Sequence, residues 1–250
     1  MILKISLGGD LIHYLCSVGL FSALKKFGLV LGKDYEVNCC GFSCIPAILF
    51  LDREEKSYVL LSNMWNEAKH LFKTASKSSL SGFVRDLGTI FKVKKRLPRE
   101  ENTSEIMKFV TKWLPNLRID ESSPIKVYAY NLYNQSEELL FGDLYDIIAK
   151  VLVYPPDFPP VAGYISLAWV FGIPLGDVAV HVSLKDDLVP KKGLDYIFLS
   201  YLARYRKVLH MRLSSFKFTF EIASENSLDF SRIAAQFFKV AQDIICCVLD

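Results

Sequence analysis

The stretch YEVNCCGFSCIPAILFL, Tyr35–Leu51, decides the fold. A β-rich run, Tyr35–Cys39, reads as a strand and ends at two cysteines and Gly41. An apolar run follows, and Pro46–Leu51 reads as a helix because proline is tolerated in a helix's first turn. Ser43 therefore sits at a strand-to-helix turn, between Gly41 and Cys44. Such a turn exposes a serine at the sheet edge. The helix N-terminus behind it has the free N–H groups and partial positive charge that stabilise an oxyanion.

The segment before it repeats the pattern. Ile2–Leu7 (ILKISL) alternates apolar and polar residues, Gly8 and Gly9 break it, and Ile12–Phe27 carries apolar residues at helical spacing until Gly28. Two consecutive β-turn-α units predict an α/β fold with a mainly parallel central sheet flanked by helices, and ligands at the carboxyl ends of the strands. Both turns then lie on the same edge of the sheet.

Asn63–Lys95 is polar and lysine-rich with interspersed aromatic and apolar residues, and Lys92–Glu105 (KVKKRLPREENTSE) is a charged, proline-broken loop. The two read as amphipathic helices and a solvated connector, a helical cap or insertion at 63–105 within a single domain, 1–250. A basic, aromatic-studded cap face is also compatible with contact to a membrane surface. Strand signals return at Ile125–Tyr133 (IKVYAYNLY), with a turn at Asn134–Ser136 and a second apolar run, ELLFG. Asp146–Val153 is helical or extended, Tyr154–Val161 is a rigid proline loop, and Asp177–Ser183 reads as a strand. Tyr196–Arg206 reads as a helix, Ser214–Ile222 as a strand and Ser231–Val248 as a closing helix.

The 250 residues carry 30 Lys and Arg against 27 Asp and Glu, a net charge of +3 that gives no electrostatic case for a nucleic-acid partner. The hydrophobic fraction of 51% marks a globular chain with a sizeable core. The six cysteines lack metal-like spacing and read as buried free thiols. His70, His181 and His210 are too scattered to form a metal set, so neither metal nor cofactor is expected. No apolar run reaches the roughly 20 residues a spanning helix needs, which points to a cytoplasmic protein, at most peripheral to a membrane.

Several separated segments together resemble the patatin-like phospholipases over Met1–Asp187. SLGG (Ser6–Gly9) and GLFSALKKFG (Gly19–Gly28) are similar to the family's glycine-rich oxyanion loop and first helix. CGFSCIPAIL (Cys40–Leu49) stands at its nucleophile turn, and SPIKVYAYNLYNQSEELLF (Ser123–Phe141) is similar to its central strand pair. YPPDFPPVAGYISLAWVFGIP (Tyr154–Pro174) resembles the stretch from its proline loop through its D-G-G or D-G-A tripeptide. The resemblance implies a three-layer α/β/α fold and a serine–aspartate dyad acting on lipid esters, with Ser43 at the nucleophile position.

This chain departs from that pattern at the site. Ser166, followed by Leu167 and Ala168, stands where the family has the aspartate of its tripeptide, and a serine hydroxyl is no base near neutral pH. The oxyanion loop is reduced to Gly8, Gly9 and Asp10, whose carboxylate would oppose an oxyanion. His13 and Asp177 are the candidate substitute bases. The resemblance thus implies a divergent, non-catalytic domain that binds a lipid or acyl chain or regulates a partner. The alternatives are an active serine esterase or lysophospholipase using Ser43 with a displaced base, and a protein–protein module whose surface lies in Asn63–Glu105. Oligomeric state is not legible in these residues.

Overall fold

The computed structural model describes residues 3–9, 11–73, 107–153, 160–167, 180–183 and 229–249. The strand–turn–helix units read from the sequence form as expected. β1 (Leu3–Leu7) leads to α1 (Leu11–Lys26), and β2 (Tyr35–Cys39) leads through a single 3-10 turn (Gly41–Ser43) to α2 (Cys44–Asp52) and α3 (Ser57–Lys73). Residues 107–113 are helical. Then come β3 (Arg118–Ile119), β4 (Ile125–Asn131), β5 (Ser136–Leu140), β6 (Gly142–Asp143), α4 (Leu144–Val151), β7 (Tyr164–Ile165), β8 (Val180–Ser183) and α5 (Phe230–Leu249). The expected elements at 196–206 and 214–222 lie outside the described residues.

The main sheet is open and runs β5-β4-β2-β1-β8, with β7 also paired to β4. Its centre is parallel: β1 pairs with β2 and β2 with β4. Both flanks are antiparallel, β8 against β1 on one side and β5 against β4 on the other. The structure is thus α/β, with a parallel core and antiparallel edges. β3 and β6 form a separate two-stranded ribbon.

Register explains which face of the sheet is covered. Ile5 lies opposite Val37, Val37 opposite Ile125 and Cys39 opposite Val127, so these apolar residues form continuous rows on one face. They are all buried. Phe21 of α1 stacks on Tyr35 of β2 (ring centroids 6.4 Å apart) and meets Phe50 of α2 at 5.1 Å, which places both helices on that face. The other face carries Glu36, Asn38, Lys126, Tyr128 and Tyr130, all half-buried. A parallel sheet buried on both faces reads as continuous apolar runs, whereas these strands alternate. α1 and α2 lie on the face that carries the apolar rows.

α1 is buried from His13 to Leu24 except at Ser22, as expected for a helix enclosed on all sides. It ends where the Leu29 N–H reaches the Leu24 carbonyl (3.0 Å) and the Gly28 N–H the Lys25 carbonyl (2.9 Å), a Schellman closure. α5 crosses it at Gly19, where the backbones touch: a Cβ there would stand 2.4 Å from the Ala234 carbonyl oxygen. On its α3 side Tyr14 donates its hydroxyl to the Leu61 carbonyl (2.8 Å) and stacks on Trp65.

The cap boundary expected at 63 falls inside α3. The helix runs unbroken from Ser57, and Met64 and Trp65 belong to the central core. Lys112 closes on Glu67 with two bonds of 2.7 and 2.8 Å, so 107–113 returns beside α3.

Candidate functional site

Both strand-to-helix turns lie at the same edge of the sheet, side by side. The Phe42 N–H donates to the Gly9 carbonyl (2.8 Å), and the Cys40 thiol lies 3.8 Å from the Leu7 carbonyl. Gly8 and Gly9 are buried. In this pairing Gly9 offers a carbonyl oxygen toward the second turn, where an oxyanion loop offers N–H groups. Asp10 lies outside the described residues.

Ser43 is fully buried, with 0% of its surface exposed. Its hydroxyl donates to the Cys40 carbonyl at 2.9 Å, and as the residue preceding α2 it makes no side-chain cap. Its backbone is right-handed helical (φ −70°, ψ −17°), and the unusual conformation belongs to Gly41 at φ +54°. A nucleophile elbow places its serine on the sharp, strained apex with the hydroxyl exposed. Here the apex residue has no side chain, and the serine lies two positions further on with its hydroxyl turned back on the turn. The expectation of an exposed serine at this edge is corrected accordingly.

The N–H groups nearest Ser43 are also committed. Phe42 donates to Gly9, and the Cys44 N–H is directed at the Gly41 and Phe42 carbonyls. Pro46, third in α2, has no N–H to give. Of the donors a helix N-terminus ordinarily offers an anion, those three positions provide none.

Ser166 is brought to the same edge. β4 carries β5 along one side, and its other side is shared by β2, over Ile125–Val127, and β7, over Tyr130 and Asn131. β7 runs antiparallel toward the point where β2 turns away, so Ser166, the residue after β7, arrives next to the Cys40–Gly41 exit. It is fully buried, its N–H donates to the Val153 carbonyl (2.9 Å), and its hydroxyl has no hydrogen-bond partner among the described residues. The two serines thus lie on a common edge of the sheet. His13 is fully buried in the first turn of α1, and Asp177 lies outside the described residues.

The thiols around the turn are closed off. Cys39 and Cys44 have no exposed surface and Cys40 has 3%. Desolvation pushes the Cys44 thiol well up, and the neighbouring Cys39 and Cys40 add to it, so its reactive thiolate form is disfavoured. All four described thiols of the core, Cys16 included, are unbridged, in line with the buried free thiols expected; Cys246 is exposed on α5. Among the described residues no group of three His, Cys, Asp or Glu side chains can hold a metal ion. No described helix is long and apolar enough to cross a membrane.

A polar cluster at the neighbouring edge escaped the sequence reading. The Glu138 carboxylate accepts the Tyr164 hydroxyl (2.6 Å) and the side-chain amides of Asn131 (2.9 Å) and Asn134 (2.7 Å). These bonds, the Tyr164 one foremost, hold Glu138 below the usual carboxylate range, and the same bond raises the Tyr164 phenol. The sequence signal was weak, because nothing in local spacing ties a β5 glutamate to a tyrosine of the hairpin beyond α4.

No family model matches the chain, and no curated protein matches it.

Proposed function

We propose that this chain is a non-catalytic domain on a patatin-like, three-layer α/β/α frame, acting as a lipid-binding or regulatory module. The strand-to-helix turn survives as a structural joint. The observation that carries this reading is the Ser43 hydroxyl, which donates to the Cys40 carbonyl at 2.9 Å inside a fully buried turn. A nucleophile requires a base within hydrogen-bond reach and free donors for the oxyanion. Here the hydroxyl is spent on a carbonyl, and the Phe42 and Cys44 N–H groups are already bonded. The uncharged Ser166 at the partner position supports the same conclusion, since it supplies neither a base nor a charge.

A fluorophosphonate probe tests this directly. The expected result is no covalent labelling, no hydrolysis of a short-chain ester, and, for Ser43→Ala, a loss of about 1 kcal/mol in urea unfolding from the deleted buried hydrogen bond. Labelling of the natural protein that disappears in Ser43→Ala, together with its esterase activity, would overturn the proposal in favour of an active serine hydrolase. Binding of a fluorescent fatty acid that persists in Ser43→Ala is the result expected of a lipid-binding module.

A further inference from the structure

Cys39, Cys40 and Cys44 bracket the Gly41–Ser43 turn. Cys39 ends β2 opposite Val127, in the apolar row that faces α1 and α2, and Cys44 is the first residue of α2. The turn between them is tight, with the Cys44 N–H directed at the Gly41 and Phe42 carbonyls. The two side chains therefore meet: the Cys44 thiol is hydrogen-bonded to the Cys39 thiol. Neither has any exposed surface, and neither is bridged. Cys40 is extended and places its sulfur 3.8 Å from the Leu7 carbonyl of β1. Successive residues of an extended chain point to opposite faces, so Cys40 is not the natural partner of Cys39.

We infer that Cys39 and Cys44 are an oxidation site, a dithiol that hydrogen peroxide converts to a disulfide joining the end of β2 to the start of α2 across Ser43. Two thiols already in contact need only a short approach to reach the roughly 2 Å of a sulfur–sulfur bond. One sulfur, as its thiolate, attacks the peroxide O–O bond and becomes a sulfenic acid, and the other peroxide oxygen leaves as water. The second thiol then displaces the sulfenic oxygen, which takes up a proton and leaves as a second water. Each sulfur gives up one electron, and the two peroxide oxygens are reduced.

The two steps differ in rate. Burial disfavours the thiolate, so the first step is slow at neutral pH and waits on local opening of the turn to a water-sized oxidant. The second is fast, because the resolving thiol is in contact from the start, and the same burial slows re-reduction. The result is a slow, persistent lock on the turn. It stands on the two sulfurs and not on the chemistry of Ser43.

Peptide mass mapping of the full chain tests this. The folded protein is held in hydrogen peroxide at neutral pH, denatured in iodoacetamide and cut with trypsin, which releases the three cysteines in one peptide, Asp34–Arg53. The expected peptide is two hydrogens lighter at Cys39 and Cys44, alkylated at Cys40, and yields no backbone fragments between positions 39 and 44. Cys16, in the body of α1, should remain a thiol. The urea midpoint should rise by roughly half a molar and return with dithiothreitol. Three results overturn the inference: all three cysteines alkylated after the exposed Cys246 has been oxidised, a bridge that uses Cys40, or loss of the Cys16 thiol in step with the bridge. Cys40→Ser, which keeps both partners, should oxidise as the natural protein does, and Cys44→Ala should form no bridge. If Cys44→Ala does not fold, Cys40→Ser and the fragmentation of the natural peptide decide.

Discussion

At position 41 the backbone turns through φ +54°, a region where any side chain crowds the following carbonyl, and β2 passes into α2 without a longer loop. Glycine there lets Cys40 stay extended (φ −149°, ψ 159°) while Phe42 bonds to the first turn. Gly41→Ala is therefore expected to cost about 1–2 kcal/mol, read as a lower urea midpoint with unchanged slope. A side chain at position 41 would disturb the geometry that turns the Ser43 hydroxyl back on Cys40, so the loss should exceed that of Ser43→Ala. At this scale the sequence shows that Gly41 and Ser43 share a strand-to-helix turn, but not where the turn's apex or the hydroxyl's partner lies. G-x-S fixes which residues occupy the turn, but the apex is set by backbone conformation, and the hydroxyl's partner by which carbonyl the turn presents.

Among the elements, β1, β2 and α5 were legible almost to the residue because one-sided burial imposes a period of two or 3.6 on their own side chains, and α1 because Gly8–Gly9 and Gly28 bound its apolar run. The start of α3 was not. Its apolar residues Leu61, Met64 and Trp65 follow the exposed, charged Asp52–Lys56 turn, and the lysine-rich sequence beyond them drew the boundary to 63. β8 falls within the strand read at Asp177–Ser183, whereas β7 was not read, and the antiparallel pairing of both depends on a long-range register that no local period encodes. The Glu138 cluster, which joins β5, the β4–β5 turn and β7, depends on the same long-range register. It also has a pH signature. A carboxylate held below its ordinary range by native hydrogen bonds adds stability that is fully present above its unfolded pKa and is lost as pH falls through the folded value. The natural protein should therefore lose stability on acidification below about pH 4.5 more steeply than Glu138→Gln. Glu138 is half-buried and screened by solvent, so the difference should be small. Identical acid profiles in urea titrations of the two proteins would mean that the bonds to Glu138 add no stability.

Across the whole molecule, the first helix and the last hold each other. α1 follows β1 almost at once and sits over the sheet, and α5, from the far end of the chain, covers its remaining side with Ile233, Ala234, Phe237, Ala241 and Ile245, all buried. This arrangement explains how α1 can be buried from His13 to Leu24 except at Ser22: the sheet, α3 and α5 enclose it. It also gives Gly19 a packing role. A Cβ at position 19 would stand 2.4 Å from the Ala234 oxygen and 2.8 Å from the Phe238 nitrogen. Both are main-chain atoms of a helix, so neither can rotate aside; α5 must move away as a body and loosen the whole contact. Gly19→Ala, favourable for helix propensity in an exposed helix, is here expected to destabilise by about 1–3 kcal/mol, the usual range for overpacking. The loss should appear as a lower thermal midpoint and as faster amide exchange along both α1 and α5. A Gly19→Ala protein as stable as the natural one, with α5 exchange unchanged, would mean that the close crossing of the two helices does not hold the molecule together.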